Sequence, residues 1–84
     1  MPVWVTSNHH RAIVDALTAA RKRAGLTQRG LASRLHKPAS FIAKIELVER
    51  NISVLELVAI CDAIGVEPSA ILAAARGTGG PVEL

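Results

Sequence analysis

The chain has 84 residues, half of them hydrophobic but only 2% aromatic, and a formal net charge of +3. That length holds one small domain and argues against any function needing two lobes around a deep cleft. Mean hydropathy is +0.33, yet charged residues interrupt every apolar stretch before it reaches the roughly 20 residues a membrane span needs.

Residues 1–7, with Val3, Trp4 and Val5, alternate weakly and are expected as an N-terminal arm, extended or without fixed structure. Ser7 or Asn8 can cap a first helix reaching about Ala24. Ile13, Leu17 and Ala20 lie on one face of it, and Arg21, Lys22 and Arg23 complement the dipole at its end. Gly25 supplies a left-handed stop, with Leu26 as its accompanying hydrophobic contact. Thr27 caps a short second helix from Gln28 to about Leu35, in which Leu31, Ala32 and Leu35 repeat at helical spacing. Gly30 inside it costs on the order of 1 kcal/mol relative to alanine, or marks the close approach of another backbone.

His36-Lys37-Pro38 is a tight break, because proline disfavours helical geometry in the residue before it and tolerates the first turn of a new helix. A third helix is expected from about Pro38 to Val48, burying Ile42 and Ile45 and presenting Ala39, Ser40 and Lys44 outward. Ser53, with Glu56 three residues on, is a capping box for a fourth helix that ends at Ile64 before Gly65. Pro68 opens a fifth, Ser69 to about Arg76, after which the glycines and Pro81 mark residues 77–84 as a flexible tail. The expected fold is all-α, five helices in a compact orthogonal bundle over residues 8–76.

The charge is unevenly placed. From Ala16 to Ile45 there are seven basic residues and no acidic one, whereas from Glu46 onward two basic residues face six acidic ones. The first stretch suits a polyanion, although a solvated basic face is the plainer reading of charge alone. Two helices joined by a short turn, the second carrying polar residues outward at its N-terminal end, is the layout of a DNA-binding helix-turn-helix.

The wording of the segment "AGLTQRGLASRLHKPASFIAKIELVER" resembles the helix-turn-helix of phage Cro and lambda-repressor type regulators, the xenobiotic-response-element family. The resemblance covers about residues 13–72: Leu17 and Arg21, then Gly25-Leu26-Thr27-Gln28, Leu31-Ala32, Leu35, Ser40-Phe41-Ile42 and Lys44-Ile45-Glu46, continuing through Asn51, Ser53, Leu57 and Ala63 to Val66. It implies a five-helix lambda-repressor-like bundle with the helix-turn-helix at the second and third helices. It also implies a sequence-specific regulator of transcription, bound to double-stranded DNA in the cytoplasm at the nucleoid. The positions matching base readers are Ala39, Ser40 and Lys44, of which Lys44 can donate to guanine and Ala39 can touch a thymine methyl. Gln28, Arg29, Lys37, Phe41 and Arg50 are the candidate phosphate contacts, with the free N–H groups at the start of the second helix assisting Gln28. A capping role is the plainer alternative for Gln28, and a core role for Phe41. Arg21 and Glu46 match a structural ion pair, and Ala32 must be small where the two helices cross.

Four positions depart from the family pattern. His36 stands for a glycine in the turn, Val48 for a glycine after the third helix, Ala39 for a polar reader and Gly30 for a helix former. A histidine must then adopt left-handed backbone, or the turn differs, and the third helix has no glycine to stop it.

One such module buries roughly 600–1,000 Å² on DNA, too little for specific occupancy, so a homodimer on an inverted repeat is expected. If Val54, Leu57, Cys61 and Ile64 face inward, then Leu47, Val48, Leu55 and Ala59 remain as an apolar dimer surface, with Trp4 as an alternative anchor. The rival is a helix-turn-helix that binds protein, such as an antitoxin or adaptor. Enzymatic function has little support, because no serine or Cys61 nucleophile has an evident base and the histidines lack metal-ligand spacing. No cofactor, metal, membrane or small-molecule ligand is expected. The lone cysteine excludes an internal disulfide, and no signal peptide is visible.

Overall fold

The computed structural model describes residues 2–84; Met1, the first residue of the expected arm, lies outside them. The described chain is all helix and turn: α1 (Val3–Thr6), α2 (Asn8–Arg23), α3 (Gln28–Arg34), α4 (Ala39–Glu46), α5 (Val54–Ile64) and α6 (Pro68–Arg76). The last five are the helices expected from the sequence. The first corrects the expectation of an extended or unstructured arm. Pro2 sets the entry angle, the Val5 N–H bonds the Pro2 carbonyl at 3.2 Å, and the Trp4 ring stands edge-on to His10 at 5.6 Å. Docking of Trp4 on α2 outweighs the β preference of its valine neighbours.

The longest helix, α2, is the spine, with α6 laid along it, α4 and α5 packed against it, and α3 held on α4 and α5. Its buried residues Val14, Leu17, Ala20 and Arg21 recur at spacings of three, three and one, a single stripe. Ser7, not Asn8, caps it by accepting the His10 N–H at 3.1 Å. Ala32 is fully buried, the small side chain required where α3 packs on α4. Ile42 and Ile45 turn inward from α4 as expected.

On α5 the inward face differs from expectation. Val54 is 78% exposed, and Ile60 is buried beside Leu57 and Cys61. Leu57, Ile60 and Cys61 are three and four residues apart and share a face, whereas Val54 is the first helical residue and lies at the open end of the helix. The Ser53–Glu56 capping box forms in full.

Four helices end in the same way. Past α2, α3, α4 and α5 a backbone N–H bonds back to the carbonyl five residues earlier: Leu26 to Arg21, Lys37 to Ala32, Glu49 to Lys44 and Val66 to Cys61. This closure needs a left-handed residue, which is a glycine after α2 and α5, Gly25 at φ 74° and Gly65 at φ 89°. His36 at φ 56° and Val48 at φ 58° fill the role at α3 and α4, the two ends flanking the outward-facing helix. The third predicted helix therefore stops at Glu46 instead of running to Val48, because two satisfied carbonyls and the turn toward α5 outweigh a left-handed cost of roughly 1–2 kcal/mol. Gly30 has no second backbone against it, so of the two alternatives the helix-propensity cost remains. A β-carbon there would meet the Thr27 hydroxyl at 3.2 Å, the same oxygen that accepts the Gly30 N–H as helix cap.

Candidate nucleic-acid interface

The turn between α3 and α4, residues 35–38, sets the outward helix at an angle to the body, and one buried ion pair holds it there. Arg21 of α2 donates from Nε to Glu46 Oε2 at 2.7 Å and from Nη2 to Oε1 at 3.0 Å, a two-point contact, and its Nη1 bonds the Leu26 carbonyl at 2.8 Å. Both side chains are nearly buried. Gln28 of α3 donates to the same Glu46 Oε1 at 2.8 Å. Burial opposes ionisation of Glu46, but the hydrogen bonds from Arg21 and Gln28 outweigh it and hold its pKa below the ordinary value. Three helices thus meet at one carboxylate. The resemblance implied the Arg21–Glu46 pair; Gln28 as its third member was not read from the sequence.

The outer side of α4 borders a groove of about 480 Å³ lined by Lys37, Pro38, Ser40, Phe41, Lys44, Glu49 and Arg50. Ser40 and Lys44 are four residues apart and share its helical wall, both exposed. Lys37 enters from the turn before α4 and Arg50 from the loop after it. Phe41 lies between them. It is half-buried, with one part packed against the core and the ring 5.5 Å from Lys37 Nζ and 4.8 Å from Arg50 Cζ. The core and surface readings of Phe41 are both realised by one side chain.

The structure brings together Ser40, Lys44, Lys37, Phe41 and Arg50 and leaves three candidates outside the groove. Ala39 is half-buried. Gln28, half-buried, has one amide N–H committed to Glu46, and Arg29 is exposed on α3. Of the seven cations between Ala16 and Ile45, Arg21 is buried on Glu46, and the other six are exposed, Arg34 with a hydrogen bond to the Ala63 carbonyl at 2.9 Å. Two carboxylates of the site were not singled out beforehand. Glu49 lines the groove, placed there by the left-handed turn at Val48. Glu56, known from sequence only as a cap, accepts Arg50 Nη1 at 2.8 Å and Nη2 at 2.7 Å. The hydrogen bond from Arg50 and the Ser53 backbone N–H lower its pKa to about 2. Arg50 is raised in turn.

Exposed apolar residues also lie outside the groove lining. Leu47 is 65% exposed and Leu55 81%, with Ala59 also exposed, while Val48 and Trp4 are half-buried. Val54, Val58 and Leu72 are exposed as well, without having been proposed for a dimer surface. Among the described residues no group of His, Cys, Asp and Glu is arranged to hold a metal ion, and no single helix is long and apolar enough to cross a membrane.

The comparisons with known proteins agree on one family. The sequence profile described as Helix-turn-helix matches residues 17–71. An XRE-family like protein from Pseudomonas syringae pv. tomato str. DC3000 is similar in structure, with a TM-score of 0.77 and 40% identity over 82% of this chain and 84% of that one. The clp gene regulator ClgR from Corynebacterium glutamicum is also similar, with a TM-score of 0.74 and 25% identity over 92% of this chain and 94% of that one. No curated protein sequence matches. With the profile spanning well over half of the chain, and α3, the turn and α4 set out as described, the protein belongs to the XRE-type helix-turn-helix family of DNA-binding transcriptional regulators.

Proposed function

We propose that the protein reads double-stranded DNA as a homodimer on an inverted repeat, with α4 in the major groove. The observation that carries this reading is the placement of Ser40 and Lys44 on one exposed wall of α4, with Lys37 at its mouth. Lys44 donates to guanine O6 and N7, and Ser40 to a base edge. Ala39, at the first turn of α4, supplies a methyl contact. Lys37, Arg29 and the remaining amide N–H of Gln28 meet phosphates, and Phe41 and Arg50 stand at the same rim. Arg21 and Glu46 set the angle of the reading helix without touching DNA. Leu47, Val48, Leu55 and Ala59, or Trp4, supply the contact between subunits, and a regulator of this kind works in the cytoplasm, where a bacterial chromosome lies.

Footprinting on genomic fragments at two salt concentrations tests this. Discrete inverted repeats with half-site centres about one helical turn apart are expected, with binding falling steeply as salt rises. Lys44→Ala should change sequence preference by roughly 1–3 kcal/mol, while Lys37→Ala should weaken all sequences alike. Identical behaviour of the two variants would remove the distinction between reading and anchoring residues.

A second reading, a protein-binding module such as an antitoxin or adaptor, is favoured by the exposed Val54, Leu55, Val58 and Leu72. It predicts no footprint and a protein partner that co-purifies tightly.

A further inference from the structure

Two cations approach the Phe41 ring, and their mutual repulsion falls if one of them is neutralised. Arg50 is. Both of its terminal nitrogens donate to Glu56, and Nη1 also bonds the Asn51 carbonyl at 2.8 Å. Glu56 is itself fixed as the capping carboxylate of α5, accepting the Ser53 N–H at 2.9 Å. The guanidinium 4.8 Å from the ring centroid is therefore anchored from behind and carries little net charge outward. Lys37, 5.5 Å from the same centroid, has no ion-pair partner among the described residues.

We propose that Arg50 and Phe41 are positioning residues, not DNA ligands: Glu56 pins Arg50 on the ring, and the ring holds the Lys37 ammonium at the mouth of the groove, where it alone of the three meets a phosphate. The inference rests on the DNA reading above. It explains why an acidic residue of the second half reaches the DNA face at all. A phosphate reaching for Arg50 has to displace a two-point carboxylate contact, whereas Lys37 loses only a weak ring contact and is already confined near its target. Ordering a four-carbon side chain before binding removes part of the entropy loss that binding would otherwise carry.

Two measurements test this. In the DNA-free protein, the Lys37 ε-methylene proton signals should be shifted upfield by the ring current of Phe41. The shift should disappear in Phe41→Leu, persist in Phe41→Tyr and shrink in both Glu56→Gln and Arg50→Gln, with circular dichroism checking that each variant folds. Then, with DNA, the slope of log affinity against log salt should fall by about 0.9 in Lys37→Gln. Arg50→Gln should weaken binding several-fold with the slope unchanged, and should add nothing further when combined with Lys37→Gln. A slope loss of about 0.9 in Arg50→Gln would make Arg50 a direct phosphate ligand and overturn the inference. So would an unshifted Lys37 signal in the wild-type protein. If the ring-current shifts behave as expected but the wild-type protein binds no DNA, the DNA reading has failed, and the positioning role falls with it while the side-chain arrangement stands.

Discussion

Two arginine–glutamate pairs flank the C-terminal end of α4, alike in chemistry and unlike in consequence. Arg21–Glu46 is internal, with side chains 9% and 12% exposed, and joins three helices. Arg50–Glu56 is at the rim, 39% and 25% exposed, and joins a loop to the head of α5. The inner pair is a structural member, since removing one partner strands a buried charge. The outer pair contributes little to folding by itself, because water competes with each partner, but it decides where a cation stands on the binding face. Burial therefore separates the two roles, although bond lengths do not: both pairs close at 2.7 Å.

The largest test of this contrast is Glu46→Ala, which leaves the Arg21 guanidinium buried without its carboxylate and should cost about 3–5 kcal/mol by urea denaturation. A loss below about 1 kcal/mol would put the inner pair in the same class as the rim pair. Glu56→Ala comes next, with a loss of about 1 kcal/mol that arises mainly from the capping box. Added salt should erase the ion-pair share of that loss and leave the Glu46→Ala loss almost intact. Val48→Gly should stabilise the protein by about 0.5–1 kcal/mol, since the left-handed strain it relieves exceeds the added freedom of the unfolded chain. Destabilisation by that variant would mean the valine side chain packs more usefully than its backbone is strained.

Acid titration sharpens the comparison with the smallest effects. Burial, with Arg11 nearby, lowers the pKa of His10 from 6.5, so the fold prefers the neutral ring. Stability should therefore begin to fall as pH drops below about 6.5, where the unfolded chain takes up the proton first. Both glutamates are depressed below 4.5, so their contribution is complete above that ordinary value and is lost as pH falls below it through their lowered pKa values, about 2 for Glu56. His10→Phe should abolish the first decline and leave the second. A single transition unaffected by that variant would show that His10 is not coupled to folding.

Residue spacing alone determined much of this protein. Caps at Ser7, Thr27 and Ser53, stops at Gly25 and Gly65 and the proline after the turn place five helices to within two residues, because each signal acts through bonds to neighbours three or four positions away. The family wording then located the outward helix and the Arg21–Glu46 pair. What the tertiary structure decided lies between elements. Trp4 folds its arm by resting on His10; Gln28 completes a pair formed by residues of two other helices; Val48 halts α4 without a glycine; and Glu56 turns from helix cap to keeper of Arg50. These outcomes depend on which surfaces the bundle brings within hydrogen-bond or packing distance, and no local rule of spacing carries that distance.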